Sequence, residues 1–440
     1  MLLRKLAVSS LARAARPPLA RRALLLSTQR LRSTGVLEDD DDDAGARHGI
    51  DTAAFLAEHQ IELVGDVDDV DTTPLQDFRD ITRVDDDGAP APLPGAIRTF
   101  FRQKSFAAPT PIQAQALPLA LQGRDVVGIA QTGSGKTLGF LLPMLWSCAE
   151  ASKGEKAAKR EIGAPRGIVL APTRELAQQI EREAAGLAAA FGSRTLCVYG
   201  GQKRHIQERA IWSAGRKLDV VVGTPGRLAD FMRDGVLKLK DVRFLVADEA
   251  DRMLDMGFEP QLREIVDELG DKERRQTLLF SATWPEEVQE LADEFVRDAV
   301  RIHVGGSDEL VANRDIAQHV RVMPSQAAKL DALYALIEEQ KSRLGGDRSR
   351  ERACHTVVFC NRKADAKWLA QQLERDIRGR AVALHGDLMQ NARDHVLGLI
   401  KGGRAQVRAT RPPARRPPAP AAPRRPRMPM TTTTPLNFFS

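Results

Sequence analysis

Short apolar runs rich in β-branched residues recur along the middle of the chain, and helical stretches separate them. The runs are DVVGIAQTGSGKT at 125–137, GIVLAPT at 167–173, LCVYGG at 196–201, DVVVGTP at 219–225, FLVADEAD at 244–251 and QTLLFSAT at 276–283. Strand, crossover helix, strand is the pattern of a parallel sheet covered on both faces. After a charged spacer around 305–314 the alternation resumes with AQHVRVM at 317–323, TVVFCN at 356–361 and AVALHGD at 381–387. The expected fold is therefore α/β with mainly parallel sheets, in a first domain over 94–304 and a second over 314–404.

The flanks read differently. Residues 1–37 scatter Arg and Lys among Leu, Ala and Ser without a single acid, the composition of a cleavable mitochondrial presequence. Residues 38–93 open on the acidic run Glu38 to Asp43 and stay acidic and rich in Pro and Gly. They predict a solvated, largely disordered linker with a short helix near Thr52 to Ile61. Residues 405–440, rich in Pro, Arg and Ala, predict a disordered tail.

These flanks also decide the charge. The chain carries a net +6, but the seventeen cations of 1–37 and 401–440 are unaccompanied by acids, which leaves 38–400 at −11. Binding of nucleic acid by the folded part must then come from a local basic surface or from backbone and hydroxyl contacts. Cys148, Cys197, Cys354 and Cys360 lack CxxC spacing, against a zinc site or a disulfide framework and for a reducing compartment. No apolar run approaches the roughly 18 residues that span a bilayer, so no membrane partner is expected.

The first run carries chemistry. Val126, Val127 and Ile129 suit a buried strand, Gly133 and Gly135 let the backbone curl so that N–H groups point inward, and a helix begins at once. Ala130, Gln131, Thr132, Gly133, Ser134, Gly135, Lys136 and Thr137 form a candidate phosphate cradle. Lys136 would reach the terminal phosphates and the Thr137 hydroxyl would hold Mg2+. Ala130 stands where the usual pattern opens with glycine. The second half of such a site is an apolar strand ending in a carboxylate, and FLVADEAD supplies it: Asp248 would hold Mg2+ through water, and Glu249 would orient or deprotonate the water attacking the terminal phosphate. A solvated acidic turn after a core strand is the plainer alternative. Two half-sites of one chemistry in one α/β domain favour nucleotide hydrolysis.

The order SFAAPTPIQ (105–113), AQTGSGKT (130–137), PTREL (172–176), the pair Gly200 and Gly201, TPGR (224–227), DEAD (248–251) and SAT (281–283) resembles the DEAD-box family of ATP-dependent RNA helicases over about residues 94–404. The resemblance implies two RecA-like domains, the second incomplete, that close on ATP, Mg2+ and single-stranded RNA. It implies catalytic roles for Lys136, Asp248, Glu249 and Asp251, and recognition of adenine by the Gln113 amide with Phe106 packed by the base. The family has a further aromatic residue upstream of this motif, and the window 85–92 has none. Ser281 and Thr283 would couple nucleotide state to RNA grip. Pro172, Thr173, Arg174, Gly200, Gly201, Thr224, Pro225, Gly226 and Arg227 would hold RNA, mainly through its backbone. TVVFCNRK (356–363) and HGDLMQNARD (385–394) resemble elements of the second domain. Ribonucleoprotein components are implied as partners, a monomer is expected, and nucleus or nucleolus is the family's alternative to the mitochondrion.

After Lys401 the resemblance stops. The family continues with another strand and an HRxGRxGR helix, whereas this chain reads RATRPPARRPPAPAAPRRPR, which is not expected to form central strands. A shifted reading frame or misjudged splice site is the preferred explanation, a real basic tail the alternative. Loss of those arginines implies impaired hydrolysis and no unwinding by the chain as written. A non-catalytic ATP-dependent RNA clamp and a P-loop ATPase acting on protein or DNA remain the rival functions.

Overall fold

The computed structural model describes residues 51–68, 70–84, 90–104, 106, 108–152, 160–305, 317, 319–343, 356–376, 381–402 and 407–410. The expected leader over 1–37 and the tail beyond 410 lie outside them. The chain divides into two compact units, Met1–Val311 and Ala312–Ser440.

Ten strands lie among the described residues of the first unit: β1 (Ile61–Val64), β2 (Thr82–Val84), β3 (Pro90–Pro92), β4 (Val126–Ile129), β5 (Gly167–Leu170), β6 (Arg194–Val198), β7 (Leu218–Gly223), β8 (Phe244–Ala247), β9 (Gln276–Ser281) and β10 (Val300–Val304). Apart from the antiparallel pair β2 and β3, they form one sheet in the order β1-β10-β4-β9-β8-β5-β7-β6. β1 runs antiparallel to β10, and every other pairing in this sheet is parallel. The helices are α1 (Thr52–Glu58), α2 (Gly95–Gln103), α3 (Pro111–Leu121), α4 (Lys136–Ala151), α5 (Arg174–Phe191), α6 (Arg204–Ala214), α7 (Pro225–Arg233), α8 (Ala250–Asp255), α9 (Glu259–Glu268) and α10 (Glu286–Phe295).

Successive strand residues feed opposite faces, which is why β4, β5, β7 and β8 are buried at every position and read as unbroken apolar runs. Val169, Val246 and Leu278 pack with Phe140, Leu141 and Ile180 from α4 and α5. Their neighbours Ile168, Leu245 and Leu279 pack with Ile211, Phe231, Ile265 and Leu291 from α6, α7, α9 and α10.

Order begins earlier than composition predicts. The expected linker over 38–93 is corrected from Asp51 on. β1 pairs with β10 from Ile61↔Val304 to Val64↔Arg301, and Leu75, Phe78, Ile81 and Leu93 are core residues. Two of the described acids serve as caps: Asp51 accepts from the Ala54 N–H at the start of α1, and Asp77 accepts from the Arg79 N–H. The few apolar residues between them are enough to dock the segment. The short helix expected near Thr52 is α1.

The second unit contains α11 (Gln326–Arg343), β11 (Thr356–Phe359), α12 (Lys363–Asp376), β12 (Ala381–Leu384), α13 (Gln390–Lys401) and β13 (Val407–Thr410). β13 lies between β11 and β12, parallel to both. This corrects the expectation of a tail from 405 that forms no central strand: Val407 to Thr410 precede the first proline, Pro412, and all four can donate to a ladder. The expected strand AQHVRVM is also corrected, because residues 319–323 pair with no strand among the described residues and leave Val320 and Val322 92% and 95% exposed.

At the amino end of β7 the buried carboxylate of Asp219 binds Arg160 at 2.9 Å and accepts from Ser152 Oγ and the Arg194 N–H. Asp219→Ala leaves Arg160 buried without its counter-charge and is expected to cost about 3–5 kcal/mol, read from urea denaturation of the full chain.

Candidate nucleotide and nucleic-acid site

Parallel pairing brings the carboxyl ends of the strands to one edge of the sheet, where loops commonly build binding sites. Along that edge stand, in spatial order, the cradle after β4, the SAT segment at the end of β9, the acidic run after β8, PTREL after β5, TPGR after β7 and the glycine pair after β6. Backbone bonds extend the pairing into the loops: the Ala130 N–H donates to Ser281 O, Asp248 N–H to Leu170 O, and Thr224 N–H to Val198 O, at 3.0–3.1 Å.

In the cradle Gly133 and Gly135 hold φ of +84° and +85°, the left-handed region that favours glycine, and Gly135 delivers the chain into α4. Gln131, Thr132 and Gly133 are exposed, Ser134, Gly135 and Thr137 partly so. Lys136 is buried and donates from Nζ to Ala130 O at 2.6 Å. Burial pulls its ammonium below the ordinary lysine range, while Asp248, Asp251 and Glu249 hold it up. Asp248 is buried too, and desolvation pushes its carboxyl up to about 6 against the opposing field of Lys136.

Glu249 takes a left-handed conformation, φ 53° and ψ 52°, at the start of α8, strained backbone of the kind that persists where surroundings over-determine it. Arg252, one turn on, donates to its carboxylate at 2.9 Å. Asp251 accepts from the backbone N–H and the hydroxyl of Thr283 at 3.1 and 2.8 Å, and its own N–H reaches Ser281 Oγ at 3.4 Å. The acidic run and the SAT segment are therefore joined by direct bonds.

Gln113 sits at the third helical position of α3, buried, with both ends of its amide engaged. Nε2 donates to Gly135 O at 2.7 Å, and Oε1 accepts from the Thr110 N–H at 3.0 Å. One N–H of Nε2 and one lone pair of Oε1 are left for a base to read. Phe106 is 44% exposed and packs edge-on against Phe101 at 5.8 Å. Phe78 lies behind both, 6.1 Å from Phe106 and 4.8 Å from Phe101. An upstream aromatic absent from the window 85–92 thus arrives from further back in sequence.

On the other half of the edge, Arg174 lies against Gly201, whose φ is +89° and where a Cβ would strike the guanidinium. Arg227 reaches Gln202 O at 3.4 Å, contacts Asp230 and lies over the Phe231 ring. Burial lowers its pKa, Asp230 opposes this, and nearby Arg204 and Arg174 add to the lowering, so the three arginines form one positive cluster. Thr173 uses its hydroxyl to cap α5 by accepting from the Leu176 N–H. Pro172, Thr224 and Pro225 are buried and shape their loops. Arg174, Gly200, Gly201, Gly226 and Arg227 keep exposed surface.

Residues 110–291 match the family model for DEAD/DEAH box helicases. The chain belongs to the DEAD-box helicase family. It is 41% identical over 326 residues to the ATP-dependent RNA helicase-like protein DB10 of Nicotiana sylvestris, covering 72% of this chain and 50% of that one. It is 42% identical over 316 residues to the ATP-dependent RNA helicase DBP3 of Chaetomium globosum, covering 69% and 54%. The chain spans about half the length of these curated relatives. Among solved structures, the yeast DEAD-box splicing factor Prp28 matches with a TM-score of 0.52 and 28% identity, over 82% of this chain and 76% of that one. The fold is RecA-like.

The DEAD-box site fits a nucleotide and a hard cation on its own chemistry. The buried Ser134 hydroxyl in the cradle has no partner, and the oxygen donors of Thr137 and Asp248 suit Mg2+. Sequence reading missed Phe78, Arg204 and Arg252 as parts of this neighbourhood. Arg252 directly follows the DEAD-box run and Arg204 lies three residues after Gly201, so adjacency was their signal; Phe78 offered none.

Raising a buried carboxyl favours its neutral form, so the stability Asp248 lends the empty domain is full below about pH 4 and lost as pH rises through about 6. Asp125, raised to about 6 mainly by burial at the opposite sheet edge, acts in the same direction. Asp248→Asn is expected to stabilise the nucleotide-free protein at pH 7 by on the order of 1–2 kcal/mol and not at pH 4. Urea midpoints at the two pH values check this; equal shifts at both would contradict it.

Proposed function

We propose that this chain is an ATP-dependent RNA helicase that couples ATP and Mg2+ at the carboxyl edge of its first sheet to local duplex unwinding or remodelling of ribonucleoproteins. The observation that carries the reading is the order along that edge. Phosphate cradle, SAT segment and DEAD-box carboxylates stand side by side, and the arginine-lined loops begin on the very next strand. Asp251 ties the nucleotide half to the SAT segment through Thr283, so a change at the carboxylates has a bonded path to the neighbouring loops.

Each residue has a role its position supports. N–H groups of the cradle and Lys136 bind the phosphates, and Lys136 gives up its bond to Ala130 O to do so. Thr137 and Asp248 hold Mg2+, which when bound neutralises phosphate charge. Glu249 orients the attacking water and takes its proton, with Arg252 restraining the carboxylate beforehand. Arg174 and Arg227 grip RNA phosphates without reading bases, and Ser281 and Thr283 carry the coupling.

Turnover by the 440-residue chain is slow in this reading, because the segment 411–440 does not read as the family's arginine-bearing helix. A preorganised arginine in phosphoryl transfer is worth about 10³ to 10⁵ in rate. The rival is an RNA clamp that binds ATP without hydrolysing it, and single-turnover hydrolysis separates the two.

Glu249→Gln is expected to keep ATP affinity within about threefold and lower RNA-stimulated hydrolysis by about 10² or more, measured by phosphate release. Retention of full hydrolysis would remove Glu249 from the chemistry. Arg174→Ala and Arg227→Ala should each weaken binding of single-stranded RNA uniformly across sequences and reduce the salt slope of affinity by about one. A change in sequence preference in place of that uniform loss would contradict backbone recognition.

A further inference from the structure

We propose that residues 70–81 are a strap that sets the position of α3, and through it the Gln113 amide, and that buried Gln115 and Gln122 are its positioning residues. The inference rests on the reading of Gln113 as the adenine-recognising group and extends it to residues that touch no nucleotide.

The docking points are written into α3. Pro118 has no N–H, so the carbonyl of Ala114, four residues earlier, loses its helical donor. The Leu75 N–H takes that place at 2.8 Å. Gln115 is fully buried on a helix whose one other polar side chain is Gln113, and it donates from Nε2 to Thr72 O at 2.8 Å, while its Oε1 has no partner. Leucine or methionine would fill that site without burying an unpaired carbonyl, so packing alone does not account for a glutamine. At the far end of α3, Gln122 exchanges two bonds with the backbone of Asp71: Oε1 accepts from the Asp71 N–H and Nε2 donates to Asp71 O, both at 2.9 Å.

The strap is anchored at both of its own ends. Before it, β1 is laddered to β10, which pairs with β4, the strand that feeds the cradle. Arg124 also reaches back to Asp66 O at 2.7 Å. Near its other end, Phe78 closes the aromatic group around Phe106. Gln113 then bonds to Gly135 O in the cradle. The chain of contacts is a closed ring through β4, β10, β1, the strap, α3 and back to the cradle, so α3 cannot shift at its Gln113 end without breaking strap bonds. That rigidity is what selection by a single amide requires, since a hydrogen-bonding group discriminates only when it is held in place.

The test uses the full chain with ATP, GTP and inorganic triphosphate as probes. The double variant Gln115→Met, Gln122→Met keeps the apolar volume of α3 and removes its grip on the strap. We expect a folded protein with a lowered melting midpoint, ATP affinity lowered about tenfold, and unaltered affinity for GTP and triphosphate, so that the preference for ATP collapses. A folded double variant that keeps the wild-type ratio of ATP to GTP affinity overturns the strap and leaves the adenine reading standing. Wild-type protein with no preference for ATP overturns both. Hydrogen exchange on the unsubstituted chain serves if the variant does not fold. ATP should protect the Leu75 amide more than GTP does, and equal protection overturns the proposal.

Discussion

The ladder that holds β9 between β4 and β8 decides where every other functional group stands. Its registers set Ile129 opposite Ser281 and Leu279 opposite Ala247, so β4 and β9 end level and β8 ends two residues earlier, leaving room for Asp248 and Glu249 beside the SAT segment. The cradle, the SAT hydroxyls and the DEAD-box carboxylates can then meet without any long loop. Shifting β9 by one residue would turn Leu278 and Leu279 to the wrong faces and break two apolar layers at once. The core therefore enforces the site's geometry, and the site needs little structure of its own.

Within that geometry the polar groups are already occupied by one another. Lys136 binds Ala130 O, Arg252 binds Glu249, and Thr283 binds Asp251. Leaving such groups unpaired in a partly buried site costs about 1–3 kcal/mol each, more for charges. Internal bonds offset that cost and give a ligand something of similar strength to displace. Binding becomes an exchange of partners, which suits a site that must release its products.

Perturbed acidity does not by itself mark function here. Asp125 and Asp248 are both raised to about 6, chiefly by burial. Asp125 accepts from the N–H groups of Thr277 and Arg297 at the amino edge and joins strand ends to a loop. Asp248 stands at the carboxyl edge in the field of Lys136 and beside two other acids. Desolvation is common to both; position on the sheet distinguishes staple from site.

The unbroken apolar runs, the glycines of the cradle and the DEAD-box run determined the α/β fold, the parallel sheet and the nucleotide half of the site from sequence alone. Those features are local: a strand buried on both faces must be apolar throughout, and a backbone curled around phosphate needs glycine. Tertiary structure decided the rest. Composition hid the docking of the described residues between 51 and 93, because five core side chains, Ile61, Leu75, Phe78, Ile81 and Leu93, suffice among many acids when a sheet edge and α3 are there to receive them. Val407 to Thr410 became a central strand because β11 and β12 flank it, whereas 319–323, with more valine, pair with no strand among the described residues. Phe78 reached Phe106, and Arg204 joined Arg174 and Arg227, through contacts between segments distant in sequence. Such pairings depend on what the folded chain brings alongside, which no local pattern encodes.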